Sequence, residues 1–257
     1  MNEERSISIQ AHLLELRRRL MYSSIAIFIT TGIAFVFHEQ ILILLMEPAR
    51  GFANIPGGKP IFTELTEFLS TAMKASLLVG LFTSLPFVLY QATMFVSPGL
   101  TPAERHYLYA LLPVVIIVFV LGSAFGYRIL FPPMIDFLLR FGSDVATPQI
   151  RIGNYVGIMI SLLLWMGVLF ETPVVLFFLA KIGLVTPRFL LKNWRYAVVI
   201  SIVLGAIVTP TIDPFNQFLV AGPVILLYLV GIGTAWIGAR GRTKKASNEL
   251  GVDATDG

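Results

Sequence analysis

VGIMISLLLWMGVLFETPVVLFFLA, residues 156–180, carries one ionisable side chain, Glu171, in a run otherwise built from apolar and small residues. A bilayer core about 30 Å thick is crossed by about 20 helical residues, so this run is long enough to span it. Working outward, the same pattern recurs at 20–37, 68–95, 107–131, 196–212 and 218–237. Six transmembrane helices are the reading: an all-α, polytopic membrane protein.

Composition agrees. Of 257 residues, 56% are hydrophobic and 13% charged, and the mean hydropathy is +0.81. A soluble domain carries about a quarter charged residues. The chain reads as one membrane domain, 1–240, followed by a polar tail, 241–257 (GRTKKASNELGVDATDG), expected to be disordered. Cysteine is absent, which excludes disulfides, thiolate catalysis and cysteine-based metal sites. The start, MNEERSISIQAHLLELRRRL, places acidic residues before its arginines and delays the apolar run to about residue 20, so an uncleaved first helix is expected rather than a signal peptide.

Basic residues set the orientation. Arg5, Arg17, Arg18 and Arg19, then Arg105, then Lys181, Arg188, Lys192 and Arg195, and finally Arg240, Arg242, Lys244 and Lys245 fall on one side, thirteen in all. Arg50, Lys59, Arg128, Arg140 and Arg151 make five on the other, and Lys74 lies inside the second run, near enough to its outer end to snorkel. Both termini are therefore expected in the cytoplasm. The outer loops, 38–67 and 132–155, contain Pro48, Pro56-Gly57-Gly58, Pro60, Pro132-Pro133 and Thr147-Pro148, which predict turns and ordered caps. The fifth and sixth runs look short, with a tight connection through Thr209-Pro210-Thr211-Ile212-Asp213-Pro214; short spans require the bilayer to thin around them.

Four acidic residues stand out. In HLLELRRRL, Leu13, Leu16 and Leu20 share one helical face while His12, Glu15 and Arg19 share the opposite one. Glu15 can pair with Arg19 at i,i+4 in an interfacial helix, or it can be held at the surface to receive a basic partner. Glu104, in Thr101-Pro102-Ala103-Glu104, matches a capping box with proline at the first helical position; a carboxylate so ordered can also take a ligand. Glu171 lies about ten residues from Lys181 and so roughly 15 Å deep. At that depth an ionisable group faces the bundle interior or a water-filled cavity, and Pro173 frees a carbonyl beside it. Asp213 before Pro214 reads as an N-cap.

Enzyme motifs are missing: HExxH, GxSxG and the P-loop do not occur. His38 and His106 have no partner at metal-ligand spacing, so neither a metal nor another cofactor is expected. The basic residues follow topology instead of forming a nucleic-acid patch.

HLLELRRRL at 12–20, LPFVLYQATMFVSPGLTPAER at 85–105, FETPV at 170–174 and TPTIDPFNQ at 209–217 resemble the TatC family, over essentially the whole chain. The resemblance implies a concave bundle of six helices in the cytoplasmic (inner) membrane, acting as core receptor of the twin-arginine protein translocase. It implies that Glu15 and Glu104, with Arg17, Arg19, Phe95 and Pro98 beside them, bind twin-arginine signal peptides. It also matches Glu171, Pro48 and Asp213 to family positions. Implied partners are such signal peptides on folded precursors, TatA- and TatB-type single-span subunits, further copies of this chain and membrane lipids, with no nucleic acid; the proton-motive force drives export. The loop around Glu104 is less basic than in some relatives.

Two adjacent arginines present two planar cations, each suited to a bidentate carboxylate, and Glu15 and Glu104 would supply the pair. The reading from another class is a small proton- or ion-coupled transporter using Glu171. It calls for a second intramembrane ionisable group, and the only other candidate, Lys74, is peripheral.

Overall fold

The computed structural model describes the backbone over 2–48, 60–99, 101–146, 148–209 and 213–249, and the side chains there save those of 2–11, 99, 103, 104 and 241–249. The chain order is α1 (Asn2–Val36), α2 (His38–Met46), α3 (Glu67–Val96), α4 (Pro102–Phe125), α5 (Phe131–Arg140), α6 (Ile152–Phe170), α7 (Thr172–Ile182), α8 (Pro187–Lys192), α9 (Trp194–Val208) and α10 (Pro214–Glu249). Five apolar stretches are long enough to cross a membrane: His12–Val36, Glu67–Val96, Arg105–Arg140, Ile152–Ile182 and Pro214–Arg240, with Trp194–Val208 a shorter sixth.

The helices depart from the hydropathy reading where backbone chemistry overrides it. Pro132-Pro133 were expected to open a loop. Instead a π-helical turn, Gly126–Leu130, links α4 to α5, and the Phe131 N–H bonds back to the Gly126 carbonyl. Widening the turn moves the proline rings away from the carbonyls they would otherwise strike, so the third span runs on to Arg140. The sixth span is also not short: its apolar stretch covers 27 residues. Only α9, at 15 residues, is short, about 22 Å against a core of about 30 Å. Beyond residue 240, where a polar tail was expected, the backbone stays helical to Glu249, through Lys244, Lys245 and Ala246, all good helix formers; 250–257 lie outside the described residues.

Two compact units form. The first comprises Met1–Ile116 and Ile135–Ile160. Within it α1 lies along α3 at close range: the Thr30 hydroxyl donates to the Gly80 carbonyl at 2.8 Å, and a Cβ on Gly80 would collide with Thr31. Small residues permit such backbone approach between membrane helices. At the other end of α3, Ile61 and Arg151 form a parallel β-bridge, through Ile61 N–H to Ile150 (2.9 Å) and Ile152 N–H to Ile61 (2.8 Å). The Tyr155 hydroxyl ties the end of α2 in, donating to the Leu45 carbonyl at 3.1 Å.

The second unit comprises Ile117–Met134 and Ser161–Gly257. Here α10 packs on α7, α8 and α9. The Thr234 hydroxyl donates to the Pro173 carbonyl (2.7 Å) and Tyr228 to the Leu190 carbonyl (2.8 Å). Ala180, Leu190, Ile232 and Ala235 form a small buried core there. Asp213 caps α10 as its sequence predicts, accepting from the Asn216 N–H (2.7 Å) and side-chain amide (3.0 Å).

Candidate functional site

The segment carrying Glu15 is continuous with the first span, so α1 is one helix and His12, Glu15 and Arg19 stack one turn apart on it. The i,i+4 pair forms: Arg19 Nη2 donates to Glu15 Oε1 at 3.0 Å, with the two side chains 21% and 34% exposed. The same guanidinium has a second partner. Its Nη1 donates to Gln91 Oε1 of α3 at 3.0 Å, 72 positions away in sequence. Gln91 is buried. Glu15 Oε2 has no hydrogen-bond partner among the described residues.

Around this bridge lies an open cleft of about 430 Å³ lined by Leu14, Glu15, Arg18, Arg19, Tyr22 and Gln91. Arg18 is drawn aside by Tyr22, donating to its hydroxyl at 3.1 Å. One turn before Glu15, His12 stacks on Phe95 with ring centroids 4.4 Å apart, which seats Phe95 beside α1. Pro98 follows in the 3-10 turn Ser97–Gly99 and is exposed, as is Arg17. The Tyr109 hydroxyl meets the Met94 sulfur at 2.8 Å, so the start of α4 lies against the end of α3. The Glu104 backbone sits in the first turn of α4; its side chain, and the capping box expected of it, lie outside the described residues.

The arrangement can hold a planar cation. A carboxylate on the rim, half occupied by an internal guanidinium, sits among aromatic rings and methylene stems. Such a surface suits an extended basic peptide better than a small apolar ligand.

The other singled-out residues lie elsewhere. Pro48 follows α2 in a short 3-10 turn. Glu171 occupies the break between α6 and α7, with φ −69° and ψ −13° and proline in the next turn. The carbonyl that Pro173 orphans, that of Leu169, is taken by the Thr172 hydroxyl at 2.7 Å. Both Glu171 carboxyl oxygens are shielded from solvent with no hydrogen-bond partner among the described residues.

Comparison with known proteins decides the family. The model of the Sec-independent protein translocase protein (TatC) matches residues 11–223. The chain belongs to the TatC family. TatC of Carboxydothermus hydrogenoformans is 36% identical over 230 residues, 90% of this chain and 93% of the relative. TatC of Desulforapulum autotrophicum is 38% identical over 256 residues, 99% of this chain and 93% of the relative. A crystal structure of the twin-arginine translocase receptor TatC superposes with a TM-score of 0.77 at 36% identity, covering 88% of this chain and 99% of that one. This chain is accordingly a multi-pass membrane protein and a component of the Sec-independent protein translocase. A small secondary transporter is not favoured.

Sequence reasoning missed two features of this chain. Gln91 lies within the 85–105 motif, and its signal is that of an amide in the last turns of an apolar run. The Glu67–Arg151 contact carries no local signal, because its partners lie in two sequence-predicted loops, 38–67 and 132–155.

Proposed function

We propose that this chain is the core receptor subunit of the twin-arginine translocase in the cytoplasmic membrane, binding twin-arginine signal peptides at the cleft between α1 and α3. The observation that carries the reading is Glu15: a carboxylate on the rim of an open cleft, anchored through one oxygen and with the other unengaged among the described residues. An incoming guanidinium meets a pre-ordered acceptor, and Glu104 at the start of α4 supplies the second carboxylate for the adjacent arginine. The excess of basic residues on the side of Arg17, Arg105 and Lys192 supports a cytoplasmic cleft and cytoplasmic termini.

After docking, the signal's apolar stretch enters the membrane beside the helices. TatA- and TatB-type single-span subunits and further copies of this chain then complete the machine that exports folded proteins on the proton-motive force. The test is crosslinking of a twin-arginine signal peptide to the membrane-inserted protein. Glu15→Ala combined with Glu104→Ala should abolish the crosslink while membrane insertion is unchanged. An undiminished crosslink in the double variant refutes the reading.

A further inference from the structure

Arg19 divides its guanidinium between two acceptors, Nη2 on Glu15 (3.0 Å) and Nη1 on Gln91 (3.0 Å). An arginine next to a carboxylate ordinarily closes its fork on both oxygens, the strongest geometry open to it. Here it does not, because Gln91 holds one arm. Gln91 is placed to do so: it is 7% exposed, its amide oxygen is an acceptor of fixed position on α3, and α3 is locked to α1 by the Gly80 approach farther along. Glu15 is left in a single-oxygen contact with an internal cation, inside the very cleft where a second cation is to bind.

We propose that Gln91 is a positioning residue for signal recognition: it keeps Arg19 from closing on Glu15, and it holds Arg19 when the signal's guanidinium takes Glu15 over. The inference rests on the signal-binding reading of the cleft. Binding is then an exchange of partners. Glu15 passes from one Arg19 contact to a bidentate contact with the peptide, and Arg19 keeps its bond to the Gln91 oxygen throughout. The Nη1 arm keeps its acceptor at every stage, and the Nη2 arm that Glu15 releases is on a side chain 21% exposed at the open cleft, where water can take it. Without the Gln91 acceptor, Arg19 competes with the peptide for both Glu15 oxygens.

Two substitutions at one position separate this from a role in packing. Gln91→Met keeps the length and shape of the side chain and removes the acceptor. Gln91→Glu keeps the acceptor, strengthens it with charge and draws Arg19 away from Glu15. With the full chain in lipid nanodiscs and a fluorescent twin-arginine signal peptide as probe, Gln91→Met should bind about tenfold more weakly, while Gln91→Glu binds as tightly as the parent or more tightly. A packing role predicts that both weaken. Binding by Gln91→Met within about twofold of the parent, or equal weakening by both variants, overturns the assignment. Should Gln91→Glu fail to insert, the Gln91→Met affinity alone decides by the same threshold. Glu15→Ala is run in parallel. Loss of binding there with unchanged Gln91→Met sinks only the role of Gln91; unchanged binding there removes the signal-binding reading and this inference with it.

Discussion

Glu67 and Arg151, 84 positions apart in the chain, meet through two contacts, Nη2 to Oε2 at 3.1 Å and Nε to Oε1 at 3.4 Å. Glu67 opens α3, is 6% exposed, and also accepts the backbone N–H groups of Thr63 (2.8 Å) and Gly153 (3.1 Å). Arg151 in turn holds Glu64 at 2.8 Å. Glu67 first, then Glu64, raises the Arg151 guanidinium above its ordinary pKa, so it stays cationic at every working pH. The carboxylate thereby ties the Ile61–Arg151 bridge to two helix starts, α3 and α6. Removing Arg151 leaves Glu67 ionic, nearly buried and bound only by neutral donors, whereas removing Glu64 takes away an exposed partner worth little. Arg151→Ala and Glu67→Ala should therefore each expose the segment around residue 61 to protease, with cleavage several-fold faster than in the parent, and Glu64→Ala should not. Limited proteolysis of the protein in proteoliposomes measures this. Equal resistance in all three variants would remove the clamp's structural role.

Thr172 repairs what Pro173 breaks. Proline supplies no N–H to the Leu169 carbonyl, and the Thr172 hydroxyl fills that place at 2.7 Å. Thr172→Val should lower unfolding stability by about 0.5–1.5 kcal/mol. On a Pro173→Ala background, where the backbone bond can reform, the same change should cost close to nothing. Denaturant unfolding in mixed micelles, run as a double-mutant cycle, reads the coupling; additive effects would show that the hydroxyl does not serve this carbonyl.

Glu171 has both carboxyl oxygens buried and without a hydrogen-bond partner among the described residues. Leaving such a group unsatisfied costs about 1–3 kcal/mol. If the acid serves transport, as the resemblance of FETPV to the family implies, it is held there at the expense of stability. Glu171→Met, close in length and fully apolar, should raise the thermal midpoint in detergent and lower export of a folded twin-arginine reporter. A lower midpoint would mark Glu171 as structural after all.

What the sequence made legible was local. The Glu15–Arg19 pair follows from spacing along one helix, and the Asp213 cap from Asp before Pro. Six apolar runs were plain because hydropathy needs no knowledge of neighbours. Gln91 meeting Arg19 could not be read the same way: it depends on the rotation and register of α3 against α1, set at Gly80 and Thr30 far from the cleft. The Glu67–Arg151 contact likewise joins two loops whose pairing no local pattern encodes. Helix ends were misplaced where hydropathy and helix propensity part company. The π-helical turn carries α5 through Pro132-Pro133, and Lys and Ala continue α10 beyond its apolar run.

The fifth span is short in structure as well as in sequence. Its 15 residues reach about 22 Å, roughly 8 Å less than an ordinary bilayer core. Its end is pinned: the Ser161 hydroxyl contacts the Val208 carbonyl at 3.3 Å, Gln217 Nε2 donates to the Ile202 carbonyl at 3.1 Å, and Gly205 lies against the Gln217 backbone with no room for a Cβ. A helix so fixed cannot slide, and tilting would only shorten its reach, so thinning of the lipid beside it would relieve the mismatch. If the thinned patch assists passage of folded cargo, lengthening α9 should impair transport selectively. Inserting four residues after the exposed Val203, between the pinned Ile202 and Gly205, adds about one turn. Export of a folded reporter should fall several-fold, while crosslinking of the signal peptide at the α1–α3 cleft stays at the parent level. Because an insertion also rotates everything after it, a second variant lengthens the helix at its start, between Trp194 and Arg195, where the pinned end is undisturbed. Undiminished export from both would separate the short span from the mechanism; a loss of signal crosslinking in both would instead assign α9 to assembly of the receptor.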